Sequence, residues 1–132
     1  MSETHRGQIM VKLVYCLRKR ADISSEELYR YWLNDHGPLV RKFAEAIQAK
    51  KYVQSHTVAP DMNQMFREGR GLAEPYDGIT EVWWEDLESL KAGMESEAGR
   101  EAHQALMEDE AKFVDFSQTR VFMTEEHPIF DL

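Results

Sequence analysis

The sequence predicts an α+β fold: an antiparallel four-stranded sheet with its helices on one face. Three observations carry that expectation. Segments with strand-like apolar patterning recur at 9–17, 50–58, 77–84 and 116–124. Helical patterns fill the stretch between the first and second of these (24–49) and between the third and fourth (85–111). The 132 residues suit a single domain with a real core. Strand-helix-strand-strand-helix-strand is the split β-α-β, or ferredoxin-like, order (βαββαβ).

In the first strand Ile9, Val11, Leu13, Tyr15 and Leu17 share one face, with Met10, Lys12, Val14 and Cys16 on the other. Both faces are largely apolar, so both require cover. Helices on one side leave the opposite side of the sheet open, and a second copy stacked across a two-fold axis supplies the missing layer most simply. Ser24 and Glu27 have capping-box spacing, with Ile23 and Leu28 placed as a hydrophobic staple. Leu28, Trp32 and His36 then fall on one helical face, and Gly37-Pro38 is expected to break the helix before a second pattern through Leu39, Phe43 and Ile47. The second strand carries Tyr52, Gln54, His56 and Val58 on one face. Residues 59–76 read as a long connection, either an arm whose Met62, Met65 and Phe66 can close over a ligand or a second subunit, or a partly disordered surface loop. In the third strand Val82 and Trp84 oppose Ile79, Glu81 and Trp83, and alternation does not say which tryptophan faces the helices. Glu85-Asp86 opens a helix that Gly93 ends or kinks, and an acidic helix follows over 96–111. The last strand sets Val121 and Met123 against Phe122, before a tail that is polar and then apolar.

A net charge of −8 argues against nucleic acid and against an anionic membrane surface. The charge is uneven, +4 over 1–59 and −12 over 60–132, which reads mostly as solvated helix faces. One cysteine, Cys16, excludes an intramolecular disulfide and lies within a strand, as a small buried hydrophobe does. Residues 1–8 show no apolar signal segment and no run is long enough to span a bilayer, so the expected setting is soluble and cytoplasmic.

His36 is the residue that carries chemistry. Its imidazole titrates near neutrality and can act as a general acid or base, with Asp35 beside it as one carboxylate able to orient it. The alternative is a structural histidine satisfying backbone groups at the helix break. Metal binding is disfavoured because His36 and His56 lie far apart in sequence and no acidic residue falls at a familiar ligand spacing. A G-x-S-x-G nucleophile elbow and a dinucleotide fingerprint are both missing from the sequence.

Four segments in order resemble the EthD family: Tyr31-Trp32-x-x-x-His36-Gly37-Pro38-Leu39-Val40, Lys51-Tyr52-Val53-Gln54-Ser55-His56, Tyr76-Asp77-Gly78-Ile79-Thr80-Glu81-Val82-Trp83-Trp84, and the strand ending Thr124-Glu125-Glu126. The resemblance spans about residues 9–126 and is weakest over 59–76. It implies a homodimeric α+β barrel with a pocket in each subunit between helices and sheet. It also implies relatives that work without metal or organic cofactor, among them monooxygenases and cyclases of aromatic polyketides, lactone isomerases and dehydratases. The family's namesake is tied to fuel-ether degradation. Carried onto this chain, His36 is the motif histidine, Trp32 and Pro38 occupy the other motif positions, and His56 takes the place of a second histidine. Tyr15 and Trp84 are added as aromatics able to face the helices. Two function classes follow. One is a cofactor-free enzyme, of oxidoreductase, isomerase or lyase type, acting on a small hydrophobic molecule with His36 and His56 as catalytic residues and Tyr15, Trp32 and Trp84 around the substrate. The other is a binding or accessory protein that uses the same pocket without turnover.

Overall fold

In the computed structural model, which describes residues 10–132, the chain runs β1 (Val11–Leu17), α1 (Ser25–Tyr31), a π-turn (Trp32–His36), α2 (Gly37–Phe43), β2 (Lys51–His56), α3 (Pro60–Arg70), β3 (Gly78–Trp84), α4 (Leu87–Glu95), α5 (Glu97–Glu110) and β4 (Arg120–Glu125). Ile9 and the 1–8 segment lie outside the described residues. The four strands form one antiparallel sheet in the order β2-β3-β1-β4. This is the predicted α+β, ferredoxin-like arrangement.

Register settles the faces. Leu13 lies opposite Val82 and Met123, and Tyr15 opposite Thr80 and Val121, so these residues share the helix-covered face. Val14 lies opposite Glu81 and Phe122, and Lys12 opposite Trp83 and Thr124, on the open face. Trp84 therefore looks toward the helices and Trp83 away from them. Cys16 sits half-buried on the open face, between Ile79 and Arg120.

Two apolar clusters join helices to sheet: Leu17, Leu28, Trp32, Phe113 and Val114, and Val40, Ile47, Ala102 and Leu106. The capping box forms as expected. The Ser24 hydroxyl accepts from the Glu27 amide, and the Glu27 carboxylate accepts from the Ser24 amide. Ile23 packs against the cluster holding Leu28.

Three expectations are corrected. First, Gly37-Pro38 does not break the helix. Gly37 stays in the right-handed helical region (φ −53°, ψ −52°), and its amide bonds the Trp32 carbonyl five residues back. Proline cannot supply the amide of a regular turn, and a preceding glycine, without Cβ, escapes part of the clash that forces that position out of a helix. The mismatch is absorbed as a π-turn. Second, 59–76 is not a structureless loop, because Pro60–Arg70 forms α3. Pro60 is its first residue and Gly71 caps it in the left-handed region (φ 64°). These are helix-boundary signals that also read as loop punctuation. Third, Gly93 neither ends nor kinks α4, being buried within it. A Cβ there would lie 2.1 Å from the Ile47 carbonyl oxygen, so the glycine permits close approach of α4 to the chain after α2. A smaller difference is that residues 116–118 form a 3-10 turn capped by Asp115, which delays β4 to Arg120.

Candidate functional site

A cavity of about 730 Å³ lies between the helices and the covered face of the sheet. Its floor is Leu13, Tyr15, Thr80, Val82 and Trp84; its roof includes Trp32, His36 and Val40 from the α1–α2 arm and Leu106, Glu110 and Phe113 from α5 and the turn beyond. The volume and apolar lining match those of small-molecule sites.

His36 is 4% exposed and enters this cavity from the end of the π-turn. Its Nδ1 lies 2.8 Å from Asp109 Oδ2. Asp109 also accepts from the Tyr31 hydroxyl, and Lys112 Nζ lies 3.3 Å from the same oxygen, Oδ1. Burial raises the Asp109 carboxyl, but hydrogen bonds from Tyr31, His36 and Lys112 outweigh it and hold the group below its ordinary value. Burial lowers the His36 imidazole, against an upward pull from Asp109. At neutral pH the pair is thus a carboxylate and a neutral imidazole. A carboxylate only accepts, so Nδ1 carries the proton and Nε2 presents its lone pair. Among the described residues Nε2 has no hydrogen-bond partner. Phe113 packs against the ring at 5.1 Å in an edge arrangement.

Asp35 is not the orienting carboxylate. It faces outward, 3.9 Å from Arg30, as expected of a residue about 100° around the helix from His36. Asp109 has a sequence signal that a purely acidic reading of the helix hides. It continues the stripe Ala102, Leu106, Asp109, Phe113, whose steps of three and four residues mark one buried face.

Of the other sequence-derived residues, Tyr15, Trp32 and Trp84 line the cavity with His36. The Tyr15 hydroxyl donates to Glu110 Oε1 at 2.8 Å, and Trp84 Nε1 donates to the Ile47 carbonyl at 2.8 Å. His56 is not brought to the cavity. Its ring stacks on Trp32 at 4.5 Å and on Tyr29 at 5.0 Å, and its Nε2 lies 2.8 Å from Gln54 Oε1. Gln54 in turn donates to the Trp32 carbonyl and to the Tyr52 hydroxyl, so His56 and Gln54 brace the π-turn from the strand side. Gly78 makes room for this, since a Cβ there would lie 2.6 Å from the Trp32 ring. Met62, Met65 and Phe66 do not line the cavity; they are exposed on α3. Sequence reasoning missed Asp109, Glu110 and His103, all on α5. Among the described residues no group of three or more His, Cys, Asp or Glu side chains is placed to hold a metal, and no helix is long and apolar enough to cross a membrane.

Comparison with known proteins gives a consistent picture. The model of the EthD domain matches residues 20–117. An ethyl tert-butyl ether d (EthD) family protein from Bacillus halodurans superposes with a TM-score of 0.62 at 22% identity, covering 90% of this chain and 100% of that one. A dimeric protein of unknown function and ferredoxin-like fold from Bacteroides fragilis gives 0.58 at 15% identity, covering 89% and 96%. A hydroxynitrile lyase from Passiflora edulis gives 0.61 at 10% identity, covering 94% and 99%. At these identities the likeness shows the fold. No curated protein matches the chain.

Proposed function

The chain belongs to the EthD family, and from that premise we propose that it is a small enzyme whose His36 moves a proton on a hydrophobic molecule held in the 730 Å³ cavity. The observation that carries this reading is the His36–Asp109 pair. A purely structural histidine satisfies both ring nitrogens, whereas His36 spends one on a carboxylate clamped by Tyr31 and Lys112 and leaves the other toward an apolar space. Asp109 fixes the tautomer and stabilises the imidazolium once Nε2 has taken a proton. Water exclusion by Phe113, Trp32 and Trp84 strengthens that attraction. Tyr15, Trp32 and Trp84 hold the apolar body of the substrate. His56 acts at one remove, by fixing Trp32 and the π-turn. The chemistry attributed to His36 needs only proton transfer, which suits isomerase, lyase or dehydratase reactions and the deprotonation that precedes oxygenation.

Two copies stack through the open face, where Val14, Val53, Ile79 and Phe122 surround a network of Lys12 with Glu81 and Glu126. The dimeric, ferredoxin-like relative from Bacteroides fragilis supports this assembly.

The test is a turnover screen with small neutral aromatic hydroxy and keto compounds, mandelonitrile among them, alongside binding read by quenching of Trp32 and Trp84 fluorescence. The His36→Gln variant should bind like the wild type and lose about 10²- to 10⁴-fold in turnover, the usual worth of a positioned acid or base. Binding without turnover by the wild type across the panel would move the reading to a binding protein.

A further inference from the structure

A second set of polar groups lines the cavity along α5. Arg100, His103, Met107 and Glu110 follow one another at steps of three and four residues, so they form one stripe beside the buried one. Glu110 is the most constrained of them. One oxygen accepts from Tyr15 on β1 at 2.8 Å, which leaves the other free. Burial is the largest influence on its carboxyl and pushes it up to about 7; the Tyr15 bond acts downward and the charge of Asp109 upward. The titratable groups that act on it are Tyr15 on β1, Tyr52 on β2 and Asp109 on its own helix, and His36 lines the same cavity. Among the described residues no cation pairs with Glu110, and Arg100 donates instead to the Glu95 carbonyl at the exposed end of the stripe. Two turns before Glu110, His103 Nε2 is buried and lacks any hydrogen-bond partner among the described residues. An unsatisfied buried nitrogen is costly, and none of the described residues satisfies it.

We propose that Glu110, in its neutral carboxyl form, is a second proton-donating group of the cavity, and that it selects uncharged ligands carrying a carbonyl or hydroxyl oxygen. The proposal deepens the reading of the cavity as a ligand site and rests on it. It disfavours carboxylate and phosphate ligands, which would face Glu110 without a buried cation beside it. It also makes a balanced reaction available to a ketone. A C–H bond beside the carbonyl breaks toward His36 Nε2, its electron pair becomes the new C=C bond, and the carbonyl oxygen takes the Glu110 proton. The product is the enol, beside an imidazolium and a carboxylate. Transfer of one proton between those two groups restores the resting state, and no oxidant or reductant is consumed.

The experiment is a binding comparison that needs no turnover. Acetophenone and α-methylstyrene have nearly the same shape but differ in a C=O against a C=CH₂. Their dissociation constants are read by NMR titration for wild type, Glu110→Gln and Glu110→Leu at pH 6 and pH 8.5, with amide dispersion confirming that each variant is folded. The wild type should prefer acetophenone about fivefold at pH 6, as one net hydrogen bond gives, and lose that preference at pH 8.5, where an ionised carboxylate no longer donates. Glu110→Gln, which keeps an N–H donor, should retain it at both pH values, and Glu110→Leu should lack it at both. A wild-type preference unchanged by pH, or a pH dependence that survives in Glu110→Gln, would overturn the proposal. The His36→Gln variant separates the two readings, since the ketone preference must persist there whether or not His36 proves catalytic.

Discussion

The Glu110 carboxyl makes a stability prediction whose size follows from the fold. Its ordinary value is 4.5 and its folded value is about 7. Below pH 4.5 the group is protonated in both folded and unfolded chains and costs nothing. Between pH 4.5 and 7 the unfolded chain ionises while the folded one stays neutral, so stability falls as pH rises. Above 7 the loss is constant. At about 1.36 kcal/mol per unit, the gap amounts to at most about 3 kcal/mol. The Glu110→Gln substitution removes the titration while keeping an oxygen to accept from Tyr15. The variant should therefore match the wild type near pH 4.5 and exceed it by up to about 3 kcal/mol at pH 8. For a chain of 132 residues that is a melting shift of about 10 °C at an unfolding entropy of ~2.1 cal/mol/K per residue. Urea unfolding of both proteins at pH 4.5, 6 and 8 measures it. A difference between the two proteins that stays constant across that range would refute the reasoning, because a Glu110 in contact with water would titrate alike in both states.

Other outcomes follow from the same geometry. Asp109→Asn removes the anion that opposes burial at His36, so the imidazole midpoint should fall further below its wild-type position; a histidine titration followed by NMR in which the midpoint holds or rises would count against the pairing. The same variant should lose about 2 to 4 kcal/mol, since Tyr31, Lys112 and His36 give up charge-assisted bonds. Gly93→Ala should destabilise by about 3 kcal/mol despite alanine's better helix propensity, because the new methyl meets the Ile47 backbone and not a movable side chain; an unchanged melting temperature would show that α4 can shift. Phe122→Glu, on the open face, should convert a sedimenting dimer to a monomer while leaving the fold intact, and a wild type that sediments as a monomer would remove the stacking proposal.

The architecture was legible because each strand carries its alternation and the capping box at Ser24 and Glu27 starts the first helix where the structure starts it. Three cavity aromatics, Tyr15, Trp32 and Trp84, were also within reach, although only the pairing register separates Trp84 from Trp83. The carboxylate behind His36 was not. Asp35 is adjacent in sequence but points elsewhere, whereas Asp109 lies 73 residues away on a helix whose many charges suggest a solvated face. Composition hides what spacing reveals: one carboxylate among ten acidic residues in the last third of the chain occupies an apolar stripe position. Helix α3 was missed for a related reason, as it buries no residue and its boundary signals, proline first and glycine last, also mark loops. His56 was misplaced because alternation assigns a face but not a depth along the strand, and its position beyond Gln54 meets the Tyr29 and Trp32 rings before it meets open space.

The central claim is that a single imidazole, anchored through Nδ1 to Asp109, offers a free Nε2 to the cavity. Nitrogen-15 NMR of the His36 ring at pH 7, with and without acetophenone, tests it most directly. The account predicts a protonated Nδ1 and an unprotonated Nε2 in the free protein, with Nε2 shifting as the cavity fills. A proton resident on Nε2, or an Nε2 resonance indifferent to a ligand that moves the Trp84 and Tyr15 signals, would contradict it.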